Sequence, residues 1–173
     1  MQSALQSFVR DWQTTVNPSH VAPLSAFLDM IAYAEGTLKF GDENGYNVIV
    51  GGATFNDYSD HPRVLVNLPN LGIKSTAAGR YQILSRFWDA YKKQMNLPDF
   101  GSDSQDRYAI QQIHEQGAYY DVIKGDFGTA IRKCSNIWAS LPGAGYGQRE
   151  VDRDQLIVYA KARLLTYQAD ELA

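Results

Sequence analysis

Glu35 is the acid in this chain whose position asks for a chemical explanation. Leu24, Phe27, Leu28, Ile31 and Ala32 recur at the spacing of one helix face. Continuing that spacing puts Glu35 at the next stripe position, with Gly36 immediately after it as a C′ residue. A carboxylate in the last turn meets the negative end of the helix dipole. Partial burial also disfavours its charged form. Both effects raise the pKa, which suits a group that must donate a proton near neutral pH. The same spacing also allows a stripe that slips by one turn and leaves Glu35 in solvent.

Other chemistries find less support. His20, His61 and His114 lie far apart, and no HxxxH or CxxC spacing occurs, so neither a metal nor another cofactor is expected. Cys134, the single cysteine, follows Ile131 on an apolar helical face and reads as a small buried hydrophobe rather than a nucleophile. The glycine-rich run from Gly143 to Gly147 lacks the strand-before, helix-after context of a phosphate loop. It suits close backbone approach to another kind of ligand. A glycosidase with paired carboxylates would need a partner for Glu35, and Asp42, Glu43, Asp57 and Asp60 are candidates. Each of these reads by default as a solvated loop acid.

Two further blocks carry hydrogen-bonding groups. From Ser75 to Leu84, small residues and Gly79 precede a helix with Tyr81 and Gln82 near its start. If Gln82 faces a cleft, its amide can bond sugar hydroxyls or N-acetyl groups; otherwise it is simply solvated. From Cys134 to Gln148, polar side chains (Asn136 among them), rings (Trp138, Tyr146) and glycine-exposed backbone combine as a glycan groove requires. An ordinary helix end and turn fits that block comparably well.

Several elements must position these residues. Leu5, Phe8, Val9, Trp12 and Val16 mark a short amphipathic helix over 3–16, which docks on the main domain or mediates self-association. A linker over 17–23 follows. Residues 1–23 thus form an N-terminal helix and linker, and 24–173 the main domain. Tyr46 to Gly52 reads as a strand entering a turn, and 53–55 and 64–66 complete a small antiparallel sheet. The pattern becomes helical from Gly79, with a stripe of Leu84, Phe87, Trp88, Tyr91 and Met95 ended by Leu97-Pro98. Helices are also expected over 104–117, 126–138 and 153–169. The fold class is α+β: a mainly helical domain with a small antiparallel β lobe and a cleft between them.

Composition bounds the rest. A chain of 173 residues, 45% hydrophobic, buries one sizeable core. A net charge of −3 and the lack of a Lys/Arg run argue against nucleic acid. One cysteine fits a reducing compartment. Neither a signal-peptide h-region nor a span of ~18 apolar residues is evident, so a soluble cytoplasmic protein without stable membrane association is expected.

Together the blocks resemble the phage lambda-type endolysins. The matching strings are Phe27-Leu28-Asp29-Met30, Ala34-Glu35-Gly36-Thr37, Val48-Ile49-Val50-Gly51-Gly52 and Asp57-Tyr58-Ser59-Asp60-His61-Pro62-Arg63. They continue with Ala78-Gly79-Arg80-Tyr81-Gln82 and with the run from Ser135 to Gln148, spanning about residues 25–165. The resemblance implies a lysozyme-like fold and a lytic transglycosylase that cuts the bond between N-acetylmuramic acid and N-acetylglucosamine in peptidoglycan and leaves a 1,6-anhydromuramic acid end. It implies Glu35 as the single catalytic acid, and Asn47, Ser75, Tyr81, Gln82, Asn136 and Tyr146 as substrate contacts. It further implies a monomer made in the host cytoplasm, with a holin as its route to the periplasmic wall. A hydrolytic muramidase and a non-catalytic wall-binding virion module are the alternatives. Two departures stand out: Asn47 replaces an aspartate of the lambda-type pattern, and the loop from Leu38 to Gly45 is shorter. The helix over 3–16 has no counterpart in it.

Overall fold

The computed structural model describes residues 11–41 and 44–172. Its centre is helix α1, Pro18–Glu35, which starts earlier than expected and takes in residues 18–23 of the supposed linker. Asn17 caps it by accepting the Ser19 N–H at 3.0 Å, and Pro18 follows at the first helical position, where its missing donor costs nothing. The two prolines that suggest a linker therefore belong to a helix start and its second turn. Nor is α1 amphipathic in its middle: Ala22 to Ala32 are all buried. A helix enclosed on every side is the axis around which the other helices pack. Its end is as expected, because Gly36 adopts a left-handed φ of 76° and returns its N–H to Ala32 and Tyr33.

Against this axis pack α3 (Ser102–Glu115), α4 (Tyr119–Ile123), α5 (Phe127–Cys134) and α6 (Arg153–Asp170), while α2 (Ser85–Met95) reaches the core through Trp88 on Phe100. The longest packed pair is α1 with α6, where Tyr33 and Tyr159 stack at 4.3 Å. Phe27, Phe100, Phe127 and Trp88 fill the core. α5 ends at Cys134, short of the expected 138, and α4 carries too few residues to leave a periodic signature.

The β lobe differs from expectation. Among the described residues its one hairpin joins β1 (Val66–Leu68) to β2 (Ile73–Ser75), with Val66 opposite Ser75 and Leu68 opposite Ile73. A 3₁₀ turn over Pro69–Leu71 and a left-handed Gly72 close it. The expected strand over 46–52 forms only single bridges, Val48 to Thr54 and Ile49 to Ala78. Gly51 and Gly52 turn the chain back at φ 92° and 101° before a ladder can extend.

The segment after Gly79 is a turn rather than a helix. Gln82 sits at φ 49°, and α2 begins only at Ser85, whose N–H is accepted by the Thr76 hydroxyl at 3.1 Å. Residues 3–10 of the expected N-terminal helix lie outside the described residues. Asp11–Thr14 is a 3₁₀ turn, and it is docked: Trp12 is buried, its main-chain N–H bonds Asp103 at 2.8 Å and its indole N–H bonds Asp106 at 2.9 Å.

Candidate active site

Glu35 closes α1 at the wall of a cleft of about 690 Å³ lined from the β lobe, α2, α3 and the segment after α5. The side chain is half-buried. Burial pushes its pKa from 4.5 up to about 7. Ser140 opposes that shift without cancelling it: its hydroxyl donates to Glu35 Oε1 at 2.6 Å and its main-chain N–H also bonds the carboxyl. At neutral pH the group therefore exists in both forms, able to give a proton and to take one.

Two buried acids hold the surrounding elements. Asp29, six residues before Glu35 on α1, forms an ion pair with Arg80 through Oδ1. Its Oδ2 accepts from Arg163 Nε at 2.7 Å and from the Tyr167 hydroxyl at 2.8 Å, tying α6 to α1. Asp106 on α3 accepts the hydroxyls of Tyr46 at 2.8 Å and Tyr81 at 2.6 Å. Gln105, its neighbour, accepts the Arg80 N–H and donates to the carbonyls of Tyr46 and Phe100. The turn from Gly79 to Gln82 is thus fixed to α1 and α3 before any ligand arrives. On its far side, His61 Nε2 bonds the Ile83 carbonyl at 2.8 Å while Nδ1 accepts the Arg63 N–H, which sets the neutral Nε2–H tautomer. Burial, the largest influence, lowers the pKa of that imidazole.

The family model for endolysins matches residues 25–163. The chain belongs to the endolysin family. It is 59% identical to the endolysin of Escherichia phage lambda over 139 residues, covering 79% of this chain and 87% of that one. Against the endolysin of Escherichia phage P2 it is 51% identical over 145 residues, covering 78% and 88%. Among solved structures, it resembles phage lambda lysozyme complexed with a chitohexasaccharide, at a TM-score of 0.79 and 56% identity, over 86% of this chain and 95% of that one. A second structure of lysozyme from phage lambda superposes with a TM-score of 0.75 and 54% identity, over the same shares. The fold is accordingly lysozyme-like, a mainly helical α+β domain.

Within this endolysin fold, Ser75, Tyr81, Gln82, Asn136 and Tyr146 line the same cleft as Glu35. They differ in what they offer a ligand. Tyr81 is buried and its hydroxyl is engaged by Asp106, so it contributes a fixed ring. The Gln82 amide nitrogen donates to the carbonyls of Gly79 at 3.0 Å and Val48 at 3.3 Å. Asn136 donates to Gln116 at 2.8 Å, and its carbonyl accepts the Tyr146 hydroxyl at 2.8 Å. Asn47 does not line the cleft; its side-chain oxygen faces Gly41, where an added Cβ would stand 2.1 Å from it. Its side chain lies against the loop after α1, a placement that spacing from Glu35 could not reveal.

Of the acids weighed as partners for Glu35, Asp57 and Asp60 do not line the cleft, and Asp42 and Glu43 lie outside the described residues. Asp57 accepts the Ser59 N–H at 2.8 Å. Burial raises the Asp60 pKa, but bonds from Arg63, Trp88 and Lys92 outweigh it and hold that carboxyl well below the usual range. Among the described lining residues the one other acid is Glu115, which accepts from Tyr91 and Gln111. Ser140 is the residue of the site that sequence reading passed over. It lies inside a matched string, but nothing local marks it as the neighbour of Glu35. Among the described residues no helix is long and apolar enough to cross a membrane.

Proposed function

We propose that this endolysin is a lytic transglycosylase that cuts the β-1,4 bond between N-acetylmuramic acid and N-acetylglucosamine without water. Peptidoglycan degradation is the coarse activity of the family; the reaction class is the finer reading. The observation that carries it is Glu35, a single half-buried carboxyl with its pKa pushed up to about 7, in a cleft whose other described acid is engaged by Tyr91 and Gln111. The chitohexasaccharide held by phage lambda lysozyme supports a chain of N-acetylated sugars as the ligand here.

Protonated Glu35 gives its proton to the glycosidic oxygen as the C1–O bond breaks toward an oxocarbenium-like state. The resulting carboxylate then takes the proton of the muramic C6 hydroxyl as that oxygen bonds C1. Glu35 ends protonated, as it began, and no water is consumed. A pKa near the working pH equips one group for both steps. Internal attack benefits from a nucleophile already held beside the carbon. Ser140 stabilises the carboxylate between the two transfers. Ser75, Gln82, Asn136 and Tyr146 contact the sugars, while Tyr81 positions the turn that carries Gln82. In this reading the enzyme is made in the host cytoplasm, passes a membrane pore of the holin type and works on the periplasmic wall as a monomer.

Mass spectrometry of peptidoglycan digested by the purified chain tests the reaction class. The expected products end in 1,6-anhydromuramic acid. Products ending in reducing muramic acid would instead establish a hydrolase, with water in place of the C6 hydroxyl.

A further inference from the structure

Gln112 on α3 lines the cleft that holds Glu35 but is only 4% exposed. Its Nε2 has no hydrogen-bond partner among the described residues. The other buried side-chain atom in that state is Arg80 Nε, and the Arg80 guanidinium is already engaged through both Nη atoms, by Asn44 and Asp29. Gln112 has no such compensation. The Tyr91 oxygen lies close enough to interact with the Gln112 side chain but not at hydrogen-bonding geometry, and the Tyr91 hydroxyl donates to Glu115.

A buried amide donor left unpaired is unfavourable, and native proteins leave few of them. One at the wall of a ligand cleft has an evident use, which is to meet an acceptor that arrives with the ligand. The last torsion of glutamine is broad, so an Nε2 that no bond holds turns toward the cleft at little expense. The setting narrows the acceptor. Gln112 is neutral, which does not suit an anion. Beside it in the cleft wall stand the rings of Tyr91 and Tyr108, edge to face at 5.1 Å. A strong carbonyl acceptor carrying an apolar carbon matches both features, and in peptidoglycan such groups are amides.

We propose that Gln112 reads an amide of the bound glycan, donating Nε2–H to its carbonyl oxygen while Tyr91 and Tyr108 pack on the adjoining carbon. This rests on the functional reading above. The amide is either the acetamido group of a sugar or the first peptide bond of the stem, and the two sources are separable.

The experiment measures binding in a Glu35→Gln background, where turnover does not interfere, with and without Gln112→Met, a substitution of similar shape that lacks the amide. The two ligands are chitohexaose, which carries acetamido groups alone, and a soluble glycan fragment bearing peptide stems. The expected result is a Kd about tenfold higher for Gln112→Met, the size of one neutral hydrogen bond, with a Tm equal to or above the parent's. A loss on both ligands assigns the acetamido group; a loss on the stem-bearing fragment alone assigns the peptide bond. In the Gln112-containing protein, the Gln112 side-chain NH₂ resonance is expected to move as ligand is added, a readout that needs no folded variant. Unchanged Kd for both ligands, an unmoved resonance, or a Tm that falls in step with binding would overturn the assignment and leave Gln112 as packing. A Glu35→Gln protein that binds neither ligand would instead sink the glycan reading itself.

Discussion

The Ser140 hydroxyl stands 2.6 Å from Glu35 Oε1, although 105 residues separate the two in the chain. Burial raises the Glu35 pKa, and the Ser140 bonds hold it back to about 7. Ser140→Ala removes the hydroxyl donor and keeps the main-chain one. The Glu35 pKa then rises, because a donor that favours the charged form has gone. The limb of the kcat/KM profile that reports Glu35 is expected to move to higher pH. Turnover at neutral pH is expected to fall about tenfold or more, the value of a hydrogen bond to a charged group. A profile superimposable on the parent's would show that Ser140 does not tune the acid.

The raised pKa of Glu35 also makes stability depend on pH, by a contribution from the buried protonated carboxyl. Its folded value, about 7, lies above the ordinary 4.5, so the folded state binds the proton more tightly. That contribution is fully present below pH 4.5 and is lost as pH rises through about 7. The loss is at most about 3 kcal/mol. Glu35→Gln removes the titration along with the activity. The variant is expected to match the parent's Tm near pH 4.5 and exceed it above pH 8, in thermal melts across that range. A constant difference at every pH would place the ionisation of Glu35 in solvent.

The sequence makes the end of α1 legible because two local signals coincide there, an apolar spacing that reaches Glu35 and a glycine that stops the helix. It makes α6 legible by its apolar spacing alone, without a glycine stop, with expected bounds of 153–169 against the observed Arg153–Asp170. The β lobe is less legible. Tyr46 to Gly52 has strand composition, but Gly51 and Gly52 bend it, whereas the true hairpin has strands of three residues each. What is not legible at all is long-range pairing. Asp106 gathering Trp12, Tyr46 and Tyr81, and Ser140 reaching Glu35, join residues that no period or motif relates. Family resemblance finds the matched strings but does not say which residue in a string touches which.

Glu150 braces the loop that carries Tyr146. Its carboxylate accepts the N–H of Gly143 and of Gly145, each at 2.9 Å, and those bonds, Gly145 first, lower its pKa. At the loop's neck the Val151 N–H bonds the carbonyl of Ser140 at 2.9 Å. Glu150→Ala frees both glycine amides and loosens the loop that presents Tyr146 and Gln148 to the cleft. KM is expected to rise several-fold with kcat changed less, and Glu150→Gln, which keeps an acceptor, to fall between. Steady-state kinetics on soluble glycan fragments decides it. Equal KM values for all three proteins would remove Glu150 from the positioning of that loop.

Gly79 is required by two constraints at once. Its φ of 78° is one that residues with a Cβ adopt at a cost of about 1 kcal/mol. A Cβ would also stand 2.2 Å from Gln105 Oε1. That oxygen cannot retreat, because the Gln105 side chain accepts from Arg80 and donates to Tyr46 and Phe100. Gly79→Ala is therefore expected to lower stability by about 3 kcal/mol, strain and overpacking together. It also displaces the turn that seats Tyr81 and Gln82 in the cleft wall. Gly143→Ala is the control: its φ is 85°, but nothing lies within 4 Å of the added Cβ. There the loss is about 1 kcal/mol, the conformational part alone. Denaturant unfolding of the two variants measures the difference. Equal losses would mean that Gln105 gives way, and that the contact with Gly79 is not what fixes the turn.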